Sequence, residues 1–258
     1  MSRIEKAFGK GKAFIAFITG GDPNIETTAG IIRAIAAAGA DIIEIGIPFS
    51  DPIAEGPVIQ AASTRSLAAG CTVDKLFDMV KELRKDIQIP LLFMTYANPV
   101  FAYGTDRFMK RCAQCGIDGL IIPDTPYEER DEFADVCKQY GIELISMVAP
   151  TSADRTAQIA KVAEGFLYCV SSLGVTGVRT KLTGEIASII NIVRGVSDIP
   201  CAIGFGISTP EQAKQMAQYA DGIIVGSAIV NIIAEHGENC LDPVTTYVSQ
   251  IKKAITEQ

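Results

Sequence analysis

Short apolar runs rich in β-branched residues alternate along the chain with longer segments in which apolar residues recur at helical spacing. Eight such pairs are predicted. The predicted strands are 14–19, 41–45, 91–95, 119–122, 143–148, 166–170, 201–204 and 222–225. The helix predicted after each strand covers about 25–38, 58–84, 105–115, 127–140, 152–163, 184–193, 209–219 and 243–256.

Near-continuous apolar strands that alternate with helices predict a parallel sheet covered on both faces. Eight units in 258 residues favour a closed (β/α)8 barrel over an open doubly wound sheet. The first strand is followed by Gly20-Gly21-Asp22-Pro23, which is not the glycine-rich fingerprint of a dinucleotide site. Because no linker-like segment interrupts the pattern, we predict a single domain over residues 1–258.

Charge and composition exclude several function classes. The formal net charge is −7 and no run of Lys or Arg occurs, which argues against nucleic acid or an anionic membrane as a partner. A bound phosphate would therefore be held mostly by backbone N–H groups. The amino terminus has no signal-peptide core, and the most apolar stretch, 29–40, contains Arg33 and is too short to span a bilayer. These features predict a cytoplasmic protein.

The cysteines and the histidine give little support to metal chemistry. Seven scattered cysteines, an odd number, are typical of free thiols in a reducing compartment. Cys112 and Cys115 have metal-like spacing, but no second cysteine pair follows. Only one histidine, His236, is present, so neither a metal site nor a Ser-His triad is supported. We therefore predict no metal in this chain.

The segment 44–57 concentrates candidate chemistry. It places Glu44, Asp51 and Glu55 directly after a predicted strand, in a loop that also holds three prolines. Isoleucines flank Glu44, so this acid either faces water or lies inside a barrel. A carboxylate at a strand end is a candidate catalytic group. From this segment alone, a surface loop with ordinary solvated acids remains an alternative.

A barrel would bring the loops after its strands to one mouth. Asp124 and Tyr168 would join the two glutamates there. Glycines also cluster in the last three of these loops, at Gly174, Gly177, Gly204, Gly206 and Gly226. Small residues allow main-chain N–H groups to approach a ligand, and a helix start after Gly226 offers its positive end, as in barrel phosphate sites. Relief of turn strain is the alternative role for these glycines. The loop 173–181 either closes over a substrate or only connects its neighbours.

Taken together, these residues resemble the alpha subunit of tryptophan synthase along essentially the whole chain. The resemblance implies a (β/α)8 barrel that cleaves indole-3-glycerol phosphate to indole and glyceraldehyde 3-phosphate by a retro-aldol step. It also implies no cofactor in this chain and a partner beta subunit that carries pyridoxal phosphate, usually in an α2β2 assembly. The motifs that carry the resemblance are Phe17 to Pro23, Glu44 to Pro57, Tyr96-Ala97-Asn98-Pro99, Pro123-Asp124, Tyr168, Gly174-Val175-Thr176-Gly177, Gly204-Phe205-Gly206 and Gly226-Ser227-Ala228.

By the same resemblance, Glu44 corresponds to the proton donor to indole C3, and Glu55 to the acid that hydrogen-bonds the indole N–H. That second acid is usually aspartate, so Glu55 adds one methylene. Thr176 corresponds to a threonine of the closing loop. Substrate contacts are implied for Phe17, Ile59, Met94, Ile121, Val148, Tyr168, Thr176, Gly177, Phe205, Gly206, Gly226 and Ser227, and partner contacts for Asp51, Asn98 and Pro99.

The residue types suit this chemistry independently. Protonation of C3 needs an acid whose pKa is raised by an apolar setting, and stabilisation of the indole nitrogen needs a carboxylate that stays ionised in a wetter loop.

Three alternative functions remain open. The chain could be mainly an allosteric activator of the beta subunit, a stand-alone indole-3-glycerol-phosphate lyase, or another phosphate-binding barrel enzyme such as a sugar-phosphate isomerase.

Overall fold

Eight parallel strands close into one barrel in the order in which they occur along the chain, which confirms the predicted (β/α)8 architecture. The computed structural model describes residues 1–150, 152–170, 179–204 and 206–257, and for 179–183 and 185 it describes the backbone alone. The strands are β1 Ala13–Thr19, β2 Ile42–Gly46, β3 Leu91–Met94, β4 Gly119–Ile121, β5 Glu143–Val148, β6 Leu167–Val170, β7 Cys201–Gly204 and β8 Gly222–Val225.

Helices surround this barrel. They are α1 Arg3–Phe8, α2 Ile25–Ala37, α3 Pro57–Ala68, α4 Val73–Leu83, α5 Ala97–Tyr103, α6 Thr105–Cys115, α7 Asp131–Gln139, α8 Ala153–Val162, α9 Arg179–Arg194, α10 Pro210–Ala217, α11 Ser227–His236 and α12 Leu241–Thr256. Short 3₁₀ turns lie at Tyr127–Glu129 and Gly237–Asn239. No helix in these described ranges is long and apolar enough to cross a membrane.

The single helix predicted over 58–84 is wrong, because two helices occupy that segment. The chain leaves α3 through Gly70, whose φ of +76° belongs to the left-handed region that favours glycine. Thr72 then caps α4 by accepting a hydrogen bond from the Lys75 N–H. The pattern also missed α1 and α5, since segments this short carry too few turns for a periodic signal.

The N-terminal end of the barrel is filled. Ile4 and Ala7 of α1 pack on an interior cluster formed by residues on the strands and by Phe166, which directly precedes β6. Its other members are Ile15, Ile42, Leu92, Ile121, Ile145, Phe166, Ala202 and Ile224. A second, larger core lies between the strands and the helices and runs from Phe14 to Ile255. Because α1 covers this end of the barrel, a substrate site is expected at the other end, where the strands have their carboxyl ends.

Candidate active site at the barrel mouth

Glu44 lies inside the barrel and is not a solvated surface acid. It stands on β2 in register with Phe17 of β1 and Leu92 of β3, and its exposed fraction is 0%. Neither carboxyl oxygen has a hydrogen-bond partner within the part of the chain that the structure describes. Burial raises the pKa of Glu44 from 4.5 to about 8. The carboxyl group is therefore protonated at neutral pH and holds a proton that it can donate.

Two aromatic rings lie over glycines near Glu44. A Cβ atom at Gly46 would be 2.7 Å from Cζ of Phe17, and one at Gly204 would be 2.5 Å from the Tyr168 hydroxyl oxygen. Burial raises the pKa of Tyr168, and the nearby Glu44 carboxylate raises it further. These glycines therefore make room for the rings that line the mouth, a packing role that the turn-strain interpretation did not include.

Apolar side chains complete the wall of the site. Met94 and Tyr168 pack on the interior cluster that contains the buried Ile121. Ile59 and Met94 also pack on a small cluster formed by Phe17, Ala62 and Val230, in which Phe17 is 8% exposed. These five residues, predicted as substrate contacts, belong to two apolar clusters that share Met94.

Val148 differs from this group. It belongs to the core between the strands and the helices, whereas Met147 packs on the barrel interior. Side chains along a strand point alternately to its two faces, so these two neighbours lie on opposite faces of β5. The substrate contact expected of Val148 stays a prediction, and Met147 is the neighbour on β5 whose side chain packs on the barrel interior.

Glu55 lies in the loop between β2 and α3 and is half-buried. Its Oε2 is buried without a hydrogen-bond partner in the described structure. Burial raises the pKa of Glu55, while a hydrogen bond from the Tyr96 hydroxyl opposes that rise. The second acid is thus less buried than the first and has a donor that favours its ionised form.

Tyr96 is a site residue that sequence reasoning did not assign. Its hydroxyl oxygen accepts a hydrogen bond from the Ala54 N–H at 3.1 Å, and its ring lies 5.5 Å from that of Phe49. Burial, above all, raises the pKa of Tyr96 to about 12, so the hydroxyl remains a donor to Glu55. The signal available in the sequence was its position directly after a predicted strand.

Asp124 supports the mouth instead of lying free in it. Its two carboxylate oxygens accept hydrogen bonds from the Ala97 N–H at 2.9 and 3.2 Å. An acceptor at this position satisfies a free N–H at the start of α5. Asp124 therefore joins the loop after β4 to the helix after β3.

Two of the glycines proposed for phosphate binding, Gly206 and Gly226, lie in the loops after β7 and β8. Gly206 has a φ of +62°, and Gly226 directly precedes Ser227, the exposed first residue of α11. The first N–H groups of a helix lack internal partners and favour anions. Thr176, Gly177 and Phe205 lie outside the described residues.

The predicted partner contacts lie at the surface. Asp51 and Asn98 are exposed and Pro99 is partly exposed. Large apolar side chains are exposed close to them in the sequence, since Ile53 is 78% and Phe101 is 51% exposed.

The described residues hold no group of three or more His, Cys, Asp or Glu side chains placed to bind a metal ion. One buried neutral acid and one hydrogen-bonded acid at the mouth of a closed barrel form an arrangement that can carry acid–base chemistry.

Comparisons with known proteins define the family. A family model described as tryptophan synthase alpha chain matches residues 5–256. The tryptophan synthase alpha chain of Lacticaseibacillus casei is 46% identical over 255 residues, which cover 99% of this chain and 96% of that protein. The one from Thermoanaerobacter sp. (strain X514) is 47% identical over 262 residues, covering 99% and 100%.

Solved structures of tryptophan synthases have the same fold as this chain. The tryptophan synthase subunit alpha of Legionella pneumophila superposes with a TM-score of 0.91 at 38% identity over 100% of both chains. A chain of Mycobacterium tuberculosis tryptophan synthase superposes with a TM-score of 0.89 at 32% identity over 98% of both chains. The chain belongs to the tryptophan synthase alpha chain family.

The predicted family is thereby confirmed. The chain is a lyase subunit of tryptophan biosynthesis that works with a beta subunit in an α2β2 complex. The pyridoxal phosphate of that complex belongs to the beta subunit.

Proposed function

We propose that Glu44 and Glu55 divide the acid–base work of cleaving indole-3-glycerol phosphate into indole and glyceraldehyde 3-phosphate. The observation that carries this proposal is the contrast between the two acids at one mouth. Glu44 is fully buried with its pKa raised to about 8, whereas Glu55 is half-buried and hydrogen-bonded by Tyr96. One acid therefore suits proton donation, and the other suits stabilisation of positive charge.

The reaction begins with transfer of the Glu44 proton to indole C3. The indole nitrogen becomes positively charged, and the Glu55 carboxylate stabilises that charge by accepting the N–H hydrogen bond. The adjacent glycerol hydroxyl then loses its proton as the bond from C3 to the glycerol carbon breaks. The electrons of that bond restore the indole ring, and the aldehyde of glyceraldehyde 3-phosphate forms. The hydroxyl proton returns to Glu44, which resets the acid.

The remaining residues bind the two ends of the substrate. An apolar wall for the indole is supplied by Phe17, Ile59, Met94, Ile121 and Tyr168, which is supported by their packing in two apolar clusters that share Met94. Gly206, Gly226 and Ser227, with Gly177 by resemblance, would hold the phosphate on main-chain N–H groups. Thr176 and Phe205 keep the substrate roles that the resemblance implies.

Three further assignments belong to this proposal. Asp51, Asn98 and Pro99 face the beta subunit, which their surface position supports. Residues 1–258 act as one domain, which the continuous outer core supports. The protein works in the cytoplasm, which seven free and buried cysteines support.

An assay of indole release tests this function. The purified chain is given indole-3-glycerol phosphate alone and with saturating beta subunit, the co-substrate of the beta reaction being withheld so that indole accumulates. We expect turnover in both states and faster turnover in the complex. No indole in either state would identify a pure activator, and an unchanged rate on addition of the beta subunit would identify a stand-alone lyase.

A further inference from the structure

An ion pair joins the loop after β1 to α3. Arg65 of α3 donates from Nε and Nη2 to the two carboxylate oxygens of Asp22 at 2.9 and 2.7 Å. Asp22 is 1% exposed. A two-point bond between guanidinium and carboxylate fixes orientation as well as distance. The pair therefore sets both the position of α3 and its rotation about its own axis.

The next residue of α3 is held by the same loop. Ser66 donates from Oγ to the Gly20 carbonyl oxygen at 2.7 Å, in a buried contact. A Cβ atom at Gly21 would be 2.5 Å from Oγ of Ser66, and Gly21 has a φ of +80°. Only glycine permits this close approach without strain. Two successive residues of α3 are thus bound to the loop that follows β1.

The N-terminal end of α3 lies next to Glu55 along the chain. The helix begins at Pro57, two residues after Glu55, and Gln60 donates from Nε2 to the Glu55 carbonyl oxygen at 2.8 Å. Ala62, on the same helix, packs with Phe17 of the site wall. A helix moves as a rigid body over this length, about 12 Å at 1.5 Å per residue. A displacement at Arg65 is therefore carried to the Glu55 main chain.

We propose that Asp22 and Arg65 are positioning residues for catalysis, which hold α3 so that the Glu55 carboxylate meets the indole nitrogen. Neither residue touches the substrate in this scheme, and both act through α3. The inference rests on the proposed role of Glu55. It follows that a loss of the ion pair should harm turnover only while residue 55 carries a carboxylate.

A double-mutant cycle tests the proposal in the complex with the beta subunit. Arg65→Lys keeps the charge but removes the two-point geometry. Since misplacement by about 1 Å can cost roughly 10²-fold in rate, we expect kcat to fall about 10-fold, with KM changed by less than about 3-fold. In a Glu55→Gln background the same substitution should change kcat by less than about 2-fold, because the group that it positions is already lost.

Arg33→Lys is the matched control. Arg33 lies on α2 and donates a hydrogen bond to Asp86 at 2.7 Å, and both side chains are about half exposed. We expect this substitution to leave kcat unchanged. If Arg65→Lys does not fold, as judged by thermal unfolding, Asp22→Asn replaces it in the same cycle.

An equal loss of kcat in both backgrounds, or no loss in either, would overturn the positioning role. Glu55→Gln measured alone separates the two proposals. If that variant keeps wild-type turnover, the role of Glu55 fails and the inference fails with it. If Glu55→Gln is impaired and the losses simply multiply, only the inference fails.

Discussion

Replacing Glu44 by glutamine should lower kcat for indole formation by about 10²- to 10⁴-fold, the usual contribution of a general acid. Glutamine matches the shape of the neutral carboxyl group but has no proton that it can transfer to C3. The fold should persist, because Glu44 is already held neutral by burial, with its pKa raised to about 8. Indole release and thermal unfolding, measured on the same preparation, test both statements.

Glu143→Gln is the control for this prediction. Glu143 begins β5, has a buried oxygen without a hydrogen-bond partner in the described structure, and also has its pKa raised, chiefly by burial. It lies at the closed end of the barrel, so its substitution should leave kcat unchanged. Wild-type turnover by Glu44→Gln would remove Glu44 from the role of proton donor.

The second large effect concerns the length and charge of residue 55. Glu55→Gln removes the carboxylate and should lower kcat about 10²-fold. Glu55→Asp keeps the charge but withdraws the carboxylate by about one bond length from the Tyr96 hydroxyl, and we expect a fall of about 10-fold. Measurement of kcat and KM for both variants with indole-3-glycerol phosphate tests whether kcat falls in the order wild type, Glu55→Asp, Glu55→Gln.

An aspartate variant as active as the wild type would show that the site is not fitted to the longer acid. A glutamine variant as active as the wild type would show that no charge is needed at the indole nitrogen. Tyr140→Phe is a suitable control, because Tyr140 also donates to a carboxylate, that of Asp106 at 2.8 Å, but at the exposed surface.

The fold could be predicted from the sequence because buried parallel strands and amphipathic helices have different periods. Strands β5, β7 and β8 begin and end where the pattern predicts. The break between α3 and α4 was missed because apolar residues continue on both sides of it. What ends α3 is the backbone conformation at Gly70 and the cap at Thr72, which hydrophobic spacing does not report.

The site could be predicted only in part. Glu44 could be predicted because burying an acid between isoleucines costs free energy, which makes a functional role the natural reason for its presence. The sequence does not say whether Val148 or Met147 packs on the barrel interior, because β5 carries apolar residues on both faces and alternation does not identify the inward face. Tyr96 and the pair of Asp22 with Arg65 act through contacts between segments 42 and 43 residues apart, which no local pattern contains.

The central claim is that Glu44 enters the reaction as a neutral, buried acid. Its carboxyl group can be titrated by carbon-13 NMR on glutamate-labelled protein, with Glu44→Gln used to assign the signal. We predict a midpoint near pH 8, raised from 4.5 by burial. Since the folded pKa lies above the unfolded one, the stability that the neutral group contributes is fully present below about pH 4.5, falls as pH rises from there, and is lost by about pH 8. A midpoint near 4.5 would contradict the account, because Glu44 would then carry no proton to donate at neutral pH.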